Sequence, residues 1–398
     1  MKALLLENPH PLARTLLEDA GFEVDLRGGA LDEDELIEAL EGVSVLGVRS
    51  KTTVTDRVLR ERPDLVAVGA YCIGTNQIAL ATAAELGIAV FNAPFSNTRS
   101  VVELAIAEII ALARRLTERN GALHDGVWDK SATGSHEVRG RTLGIVGYGN
   151  IGSQLSVVAE ALGMRVFFYD TNEKLALGNA RPCSSLEELL ASAETVTLHV
   201  DGREGNAGIF GAEQFAKMRP RSLFLNLSRG FVVDYDALRD SLVSGQVAGA
   251  AVDVFPVEPK NRGDAFTSPL VGLPNVILTP HIGGSTEEAQ EDIGRFVSTR
   301  LRDYVLRGVT NLSVNLPTLA PGTDGHAQRI AHVHHNTPGV LAHLNQILAA
   351  HGINIDAQVL ATRGTSGYVV TDTHSPISTD VLAELGGLPE TIRLRVID

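Results

Sequence analysis

Three polar residues stand just beyond apolar runs in the second half of the chain. Arg229 follows residues 223–227 in NLSRG, Glu258 follows 249–255 in DVFPVEP, and His281 follows 276–278 in TPHIGG. The planar fork of a guanidinium matches a carboxylate with two parallel hydrogen bonds, which an ammonium cannot do. An imidazole, with an ordinary pKa of about 6.5, exchanges protons near neutrality. A carboxylate beside it orients the ring and raises that pKa. Together such residues could hold a small carboxylic acid and move a proton to or from its hydroxyl. The transfer becomes an oxidation when a carrier takes the hydride from the same carbon.

A binding place for such a carrier lies upstream. Gly147-Tyr148-Gly149-Asn150-Ile151-Gly152 follows the apolar run 143–146 and opens an amphipathic stretch, and residues 166–169 then close on Asp170. Strand, glycine turn, helix, strand and acid in that order form the dinucleotide fingerprint. Gly147 permits the sharp exit from the strand, Gly149 lets backbone approach a pyrophosphate, and Gly152 lets helix and strand pack closely. The diphosphate would sit on unpaired amides at the helix N-terminus. Asp170, about 20 residues on, would accept hydrogen bonds from ribose hydroxyls and repel a 2′-phosphate. Thr171-Asn172 bring no arginine to offset that repulsion, so NAD is expected rather than NADP.

These residues need rigid elements to carry them. The 398 residues are 44% hydrophobic, enough for two or three domains with ample core. With 34 basic and 48 acidic side chains the net charge is −14, which argues against nucleic acid or an anionic membrane as a partner. The two cysteines, Cys72 and Cys183, show neither metal-type nor disulfide-type spacing and fit a reducing compartment. The start lacks a signal peptide, and the apolar run 101–113 is too short to span a bilayer, so a soluble cytoplasmic protein is expected.

Residues 1–92 alternate short β-rich runs (3–6, 43–48, 65–68, 88–91) with amphipathic stretches (13–20, 34–40, 56–61, 78–86), which implies a parallel sheet covered on both faces. Loops after its strands, Arg49-Ser50-Lys51 and Tyr71-Cys72-Ile73-Gly74, are candidate ligand loops. A helix is predicted over 100–119, opened by a Ser100/Glu103 capping box and crossing from the first domain to the next. A polar loop with Trp128 and Lys130 follows. Strands at 195–200, 223–227, 249–255 and 276–278, with helices at 186–193 and 235–243, complete a doubly wound nucleotide domain over 98–284. A second capping box, Ser285/Glu288, opens a return helix carrying Ile293, Phe296, Val297, Tyr304 and Val305 on one face. That helix packs back on the first domain, which is therefore discontinuous (1–97 and 285–310). Residues 311–326 read as a linker. Residues 327–398 give the order βαββαβ, a ferredoxin-like unit. The fold class is thus α/β, two doubly wound parallel-sheet domains plus this terminal unit.

GYGNIG with Asp170, NLSRG, DVFPVEP and PHIGGST resemble the D-isomer-specific 2-hydroxyacid dehydrogenases, and the resemblance covers essentially the whole chain. It implies Arg229, Glu258 and His281 as catalytic residues. NAD would be contacted by Gly147, Gly149, Asn150, Ile151, Gly152, Asp170, Leu227, Ser228, Asp253, Gly283 and Gly284, with Arg229 and His281 bordering it. The segment FNAPFSNTRSVVELAI and the terminal unit are most similar to the branch of that family that oxidises 3-phospho-D-glycerate to 3-phosphohydroxypyruvate, the entry to serine synthesis. By that likeness Arg49, Ser50, Asn97 and Gln290 contact substrate, and Lys51 and Lys130 are further phosphate ligands. One departure stands out. After Leu198-His199-Val200 the family usually has a proline and a threonine-rich loop, where this chain has Asp201-Gly202-Arg203-Glu204-Gly205-Asn206.

The terminal unit resembles an ACT domain, a small-molecule sensor. His334, Asn336, Pro338, Gly339 and Asn354 match the serine-binding pattern, which implies inhibition by L-serine, while the crossing helix and the sensor unit point to a symmetric dimer or tetramer. The rival reading of His332, His334 and His335 as a metal site requires a further ligand, because His335 points away from the other two in a strand. Two alternatives for the whole chain remain. One is a dehydrogenase for another 2-hydroxy acid such as 2-hydroxyglutarate, against which Lys51 and Lys130 favour a dianionic phosphate. The other is an NAD(H)-sensing binding protein without turnover.

Overall fold

The computed structural model describes residues 1–259, 263–322 and 327–397; residues 323–326 of the expected linker and the final residue of the terminal unit lie outside them. The chain divides into two compact units, residues 1–96 with 290–398, and residues 97–289.

The first unit opens with β1 (Lys2–Leu6), α1 (Pro11–Glu18), β2 (Glu23–Arg27), α2 (Glu33–Ala39), β3 (Val45–Val48), α3 (Asp56–Glu61), β4 (Ala67–Ala70), α4 (Leu80–Glu85) and β5 (Ala89–Phe91). The five strands are parallel in the order β2-β1-β3-β4-β5, the doubly wound arrangement in which ligands meet strand C-termini. β3 and β4 are buried at every position, as apolar strands covered on both faces must be. β2 was not predicted. Its sequence EVDLR is charged and almost wholly exposed, the composition of a protected edge rather than of a core strand.

In the second unit the helix predicted over 100–119 is two helices, α5 (Thr98–Ala113) and α6 (Leu116–His124). Arg115 between them has φ 52°, a left-handed conformation that cannot continue a right-handed helix, and its guanidinium grips Glu118 in a fork (2.7 and 2.8 Å). The Ser100/Glu103 capping box does not form. α5 begins at Thr98, Ser100 Oγ pairs with Thr286 Oγ1, and Glu103 accepts from Arg99. The helix lies wholly in this unit and does not cross between the two.

There follow β6 (Thr142–Val146), α7 (Asn150–Ala161), β7 (Arg165–Tyr169), β8 (Arg181–Pro182), α8 (Leu186–Ser192), β9 (Thr195–Leu198), α9 (Ala212–Lys217), β10 (Ser222–Asn226), α10 (Tyr235–Val243), β11 (Val247–Val252) and β12 (Val276–Leu278). All seven strands are parallel, in the order β12-β11-β10-β9-β6-β7-β8. Strand order reverses between β6 and β9, and the glycine turn leaves the sheet at that switch point. One face packs α5 and α7 (Val102, Ala105, Leu155, Ala159), the other α8, α9 and α10 (Leu189, Phe215, Leu238).

The return helix is α11 (Glu287–Arg307). The side chain at its start that accepts a backbone N–H is that of Thr286, from Ala289, rather than Ser285 of the expected box. From Gln290 onward the helix belongs to the first unit and buries Ile293, Val297, Leu301, Tyr304 and Val305. A Cβ on Gly69 would lie 2.6 Å from Val297, so the glycine is what lets helix and sheet approach this closely. Tyr71 Oη pairs with Ser298 Oγ at 2.8 Å inside that contact.

The chain ends with β13 (Gln328–His335), α12 (Val340–Ala350), β14 (Ile355–Arg363), β15 (Ser366–Thr373), α13 (Thr379–Gly386) and β16 (Thr391–Ile397), an antiparallel sheet ordered β14-β15-β13-β16. One face buries Ile330, Leu344, Leu348, Val369 and Leu385 beneath its own helices. The other, with Ala331, Val333, Tyr368 and Val370, shares a core with Phe91, Tyr304 and Leu316. Arg393 donates to the carbonyls of Leu86, Leu65 and Pro63 (2.9, 2.6 and 3.1 Å), which fixes this sheet to the end of the first.

Candidate active site

The cofactor face is built from β6, its glycine turn and α7. Gly147 has φ +91°, and a Cβ there would lie 2.6 Å from the carbonyl oxygen of His199. A Cβ on Gly152 would lie 2.2 Å from the carbonyl oxygen of Gly147, so helix and turn could not meet. A Cβ on Gly149 would touch nothing within 4 Å, which leaves the backbone open to a ligand on that side. Gly149 is the N-cap of α7 and supplies no side chain to the first amides, where Asn150 and Ile151 stand. Asp170 directly follows β7, with Oδ2 accepting from Tyr148 N and Oδ1 from Asn172 N, both at 2.9 Å. The acid thereby ties its strand to the glycine turn and keeps further lone pairs for hydroxyls. A groove of about 520 Å³ runs past Gly147, Gly149, Asp170, Lys174, Asp201 and Arg203. These residues fit a dinucleotide.

The three polar residues singled out first leave neighbouring strands β10, β11 and β12. Asn226 at the end of β10 organises the first loop: its Oδ1 accepts from Ser228 N and Oγ, and its Nδ2 donates to the Arg229 carbonyl and to Tyr235 Oη. Tyr235 in turn donates to Val254 O, stitching the β10 loop to the β11 loop. A Cβ on Gly230 would sit 2.0 Å from the Phe255 carbonyl carbon, so glycine is required where the two loops touch. Neither the Asn226–Tyr235 bridge nor this packing was legible in the sequence. Leu227 and Ser228 are buried, and Arg229 is half-buried with Nη1 on the Ser228 carbonyl.

His281 Nδ1 and Glu258 Oε2 are 2.8 Å apart. The hydrogen bond to Glu258, reinforced by that residue's charge and by Asp253, holds the imidazole above its ordinary pKa against burial and the opposing charge of Arg229. Burial pushes the Glu258 carboxyl up, but hydrogen bonds from His281 and Phe255 N, with the charges of His281 and Arg229, keep it below the usual range. The three residues therefore lie within one another's fields. With Nδ1 committed to Glu258, Nε2 is the nitrogen that remains to exchange a proton.

Asp253, expected to contact cofactor, is only 2% exposed. Its Oδ1 accepts from Thr279 Oγ1 and Ile282 N (2.6 and 2.8 Å), and its Oδ2 from Gly283 N (2.8 Å). It is the anchor of the turn in which His281 adopts φ 55°, and it offers a ligand almost no surface. Gly283 and Gly284 lie against Asp253 and Asn97, leaving no room for a side chain at Gly284. Behind them Glu108 of α5 is 3% exposed, and among the described residues neither of its carboxyl oxygens has a partner.

The expected substrate residues fall in both units. Arg49, Ser50, Lys51 and Gln290 belong to the first, Asn97 and Lys130 to the second, where Asn97 precedes α5 without a side-chain bond to its amides and Lys130 is exposed on its loop. The 49–52 loop is held by a residue that sequence reasoning missed. Buried Glu7 accepts from the amides of Arg49 (3.2 Å), Lys51 (3.0 Å) and Thr52 (2.8 Å), from a left-handed backbone at φ 65°. Nothing in its sequence neighbourhood signals this; the partners are more than 40 positions away.

In the terminal sheet His334 is buried, its Nδ1 near the His335 carbonyl (2.9 Å) and its ring in the space a side chain at Gly367 would fill. Asn336 donates to Gly364 O (3.0 Å) at one end of β13. Asn354 lies beyond the opposite end, where its carbonyl accepts from His374 N. Strand register separates the two by the length of β13, about 25 Å. Pro338 and Gly339 form the turn into α12, at the Asn336 end. His332 is buried and bound to Thr391 Oγ1, His335 is exposed, and among the described residues no cluster of metal-binding side chains is found. No helix among the described residues is long and apolar enough to cross a membrane.

Residues 106–283 match the model of the D-isomer specific 2-hydroxyacid dehydrogenase NAD binding domain, and residues 330–393 that of the AHAS small subunit-like ACT domain. A solved D-lactate dehydrogenase from Aquifex aeolicus, complexed with NAD and lactic acid, superposes with a TM-score of 0.70 at 25% identity, over 79% of this chain and 100% of that one. The chain belongs to the D-isomer specific 2-hydroxyacid dehydrogenase family, and it is an NAD-dependent dehydrogenase. Within that family it is 48% identical to D-3-phosphoglycerate dehydrogenase of Haemophilus influenzae and 47% identical to that of Escherichia coli, each over 100% of this chain and 97% of the relative.

Proposed function

We propose that the protein oxidises 3-phospho-D-glycerate to 3-phosphohydroxypyruvate with NAD and is inhibited by L-serine. The chemical part of this reading is carried by one observation, the His281–Glu258 contact lying in the field of Arg229. The substrate is carried by similarity to D-3-phosphoglycerate dehydrogenases along the entire chain. Arg229 holds the substrate carboxylate, His281 takes the C2 hydroxyl proton at Nε2, and Glu258 stabilises the imidazolium that results. Bound NAD supplies the hydride acceptor. Gly149, Asn150 and Ile151 hold its diphosphate and Asp170 its ribose, while Arg49, Ser50, Lys51, Asn97, Gln290 and Lys130 serve as substrate ligands. Residues 1–96 with the return helix form the substrate-binding part, 97–289 the cofactor part, and 327–398 the regulatory part of a cytoplasmic enzyme.

Serine binds through His334, Asn336 and Asn354. The distance between the two asparagines argues that a ligand touching both draws them from different chains, and two regulatory sheets paired by a twofold axis would create two such sites. A homotetramer adds a second pairing between copies. Purified protein with NAD and 3-phosphoglycerate should generate NADH when the product is trapped, and L-serine should suppress it. His281→Ala should lower the rate by about 10²–10⁴-fold while retaining NADH binding. Absence of NADH from 3-phosphoglycerate alongside turnover of another 2-hydroxy acid would reject the substrate.

A further inference from the structure

The loop after β9 departs from its family pattern, lies against Arg229 at Gly202, and holds no residue given a role in the reaction proposed above. It is tied by a compact ion pair. Arg203 Nε donates to both oxygens of Asp201 (2.8 and 3.0 Å) and Nη2 to Oδ2 (2.7 Å), while Asn206 Nδ2 donates to Oδ1 and to the Asp201 carbonyl (2.8 and 3.0 Å). Asp201 and Arg203 line the same groove as Gly149, Asp170 and Lys174, and the Asp170 carboxylate acts on the Arg203 guanidinium. NADP differs from NAD by a phosphate on the ribose hydroxyl that an acid at the end of the second strand binds, and an arginine nearby is what accommodates that phosphate. No arginine directly follows Asp170 in sequence, but the fold brings one to this groove from the β9 loop. Its Nε/Nη2 edge is already closed on a carboxylate, which cancels the charge a dianion would seek and leaves only the Nη1/Nη2 edge for a bidentate contact.

We propose that Asp201 is a cofactor-selectivity residue: it engages Arg203 and cancels the positive charge that this loop brings to the groove wall carrying Asp170, so that a 2′-phosphate meets the Asp170 carboxylate without a guanidinium to offset it. The proposal concerns cofactor choice only and stands whichever 2-hydroxy acid is oxidised. Both side chains are more than half exposed (56% and 63%), and an exposed pair contributes little to stability, so replacing either should leave the fold intact.

Equilibrium titrations of NADH and NADPH against the full chain, read by cofactor fluorescence, test this without a substrate. Asp201→Asn should shift the NADPH-to-NADH affinity ratio toward NADPH by about tenfold, an effect that fades at high salt as an ionic contact should. Arg203→Gln should erase that gain when added to Asp201→Asn, and made alone it should bring no gain for NADPH, because the guanidinium is already engaged and its loss leaves the Asp201 charge in place. An unaltered ratio in Asp201→Asn, a gain that survives the loss of Arg203, or stronger NADPH binding in Arg203→Gln alone would each overturn the assignment.

Discussion

At the scale of single residues, two acids, half-buried Glu258 and buried Glu108, are shifted in opposite senses. Glu258 raises the His281 pKa, and oxidation requires the neutral imidazole, so the acid limb of kcat/KM against pH should lie above the ordinary histidine value. Glu258→Gln removes the hydrogen-bonding charge, and the limb should move to lower pH while the plateau falls; a limb that stays in place would separate Glu258 from the titration. Glu108 has no bonded partner among the described residues, and burial, with Asp253 adding to it, pushes its carboxyl up to about 8 from 4.5. A folded-state pKa above the unfolded value means that the folded protein holds the extra proton between the two. The stability is intact below about 4.5, is lost progressively as pH rises toward 8, and changes no further beyond that. At 1.36 kcal/mol per unit the loss amounts to a few kcal/mol. Glu108→Gln should flatten the fall in Tm between pH 6 and pH 8.5, and an identical fall in both proteins would show that Glu108 ionises freely.

Elements carry the difference between the glycines of the cofactor turn. Gly149→Ala meets no protein atom and its φ of −83° suits alanine, so Tm should be unchanged while NADH affinity drops by about tenfold or more, because the new methyl lies where the diphosphate must approach. Gly152→Ala drives a methyl into the Gly147 carbonyl, so stability and affinity should fall together. If both variants lose stability equally, the distinction drawn from the geometry is wrong. This turn was readable in the sequence because strand, glycines, helix and acid are contiguous and each is under a local constraint. The same holds for the β-α alternation, whose apolar runs lie within a few residues of the observed strands. What was not readable depends on partners distant in the chain. Glu7 under the 49–52 loop, Asn226–Tyr235 between two strand ends, and Asp253 turned inward to anchor the histidine all answer to contacts that no local pattern encodes. The break at Arg115 was missed for the opposite reason. The run before it is strongly apolar and the polar run after it is also helix-forming, and a single left-handed residue leaves no mark on the periodicity of either.

At the scale of the whole molecule, the regulatory sheet is part of a larger body rather than an appendage. Its outer face completes the core under the return helix, and Arg393 ties its last strand to three carbonyls of the first domain. A ligand that reorients this sheet would therefore act, through the shared core, on the sheet of residues 1–91. The same sheet separates Asn336 from Asn354 by about 25 Å, far more than an amino acid can span. If serine requires both, one chain supplies Asn336 and its neighbour Asn354. Asn336→Ala and Asn354→Ala should then each abolish serine inhibition alone. Co-assembled in one oligomer, the two variants should regain it, because a mixed pair contains one site with both asparagines and one with neither. Calorimetry should find about half the serine sites restored in purified mixed pairs. Failure to restore any binding there would mean that the two asparagines do not share a site across chains.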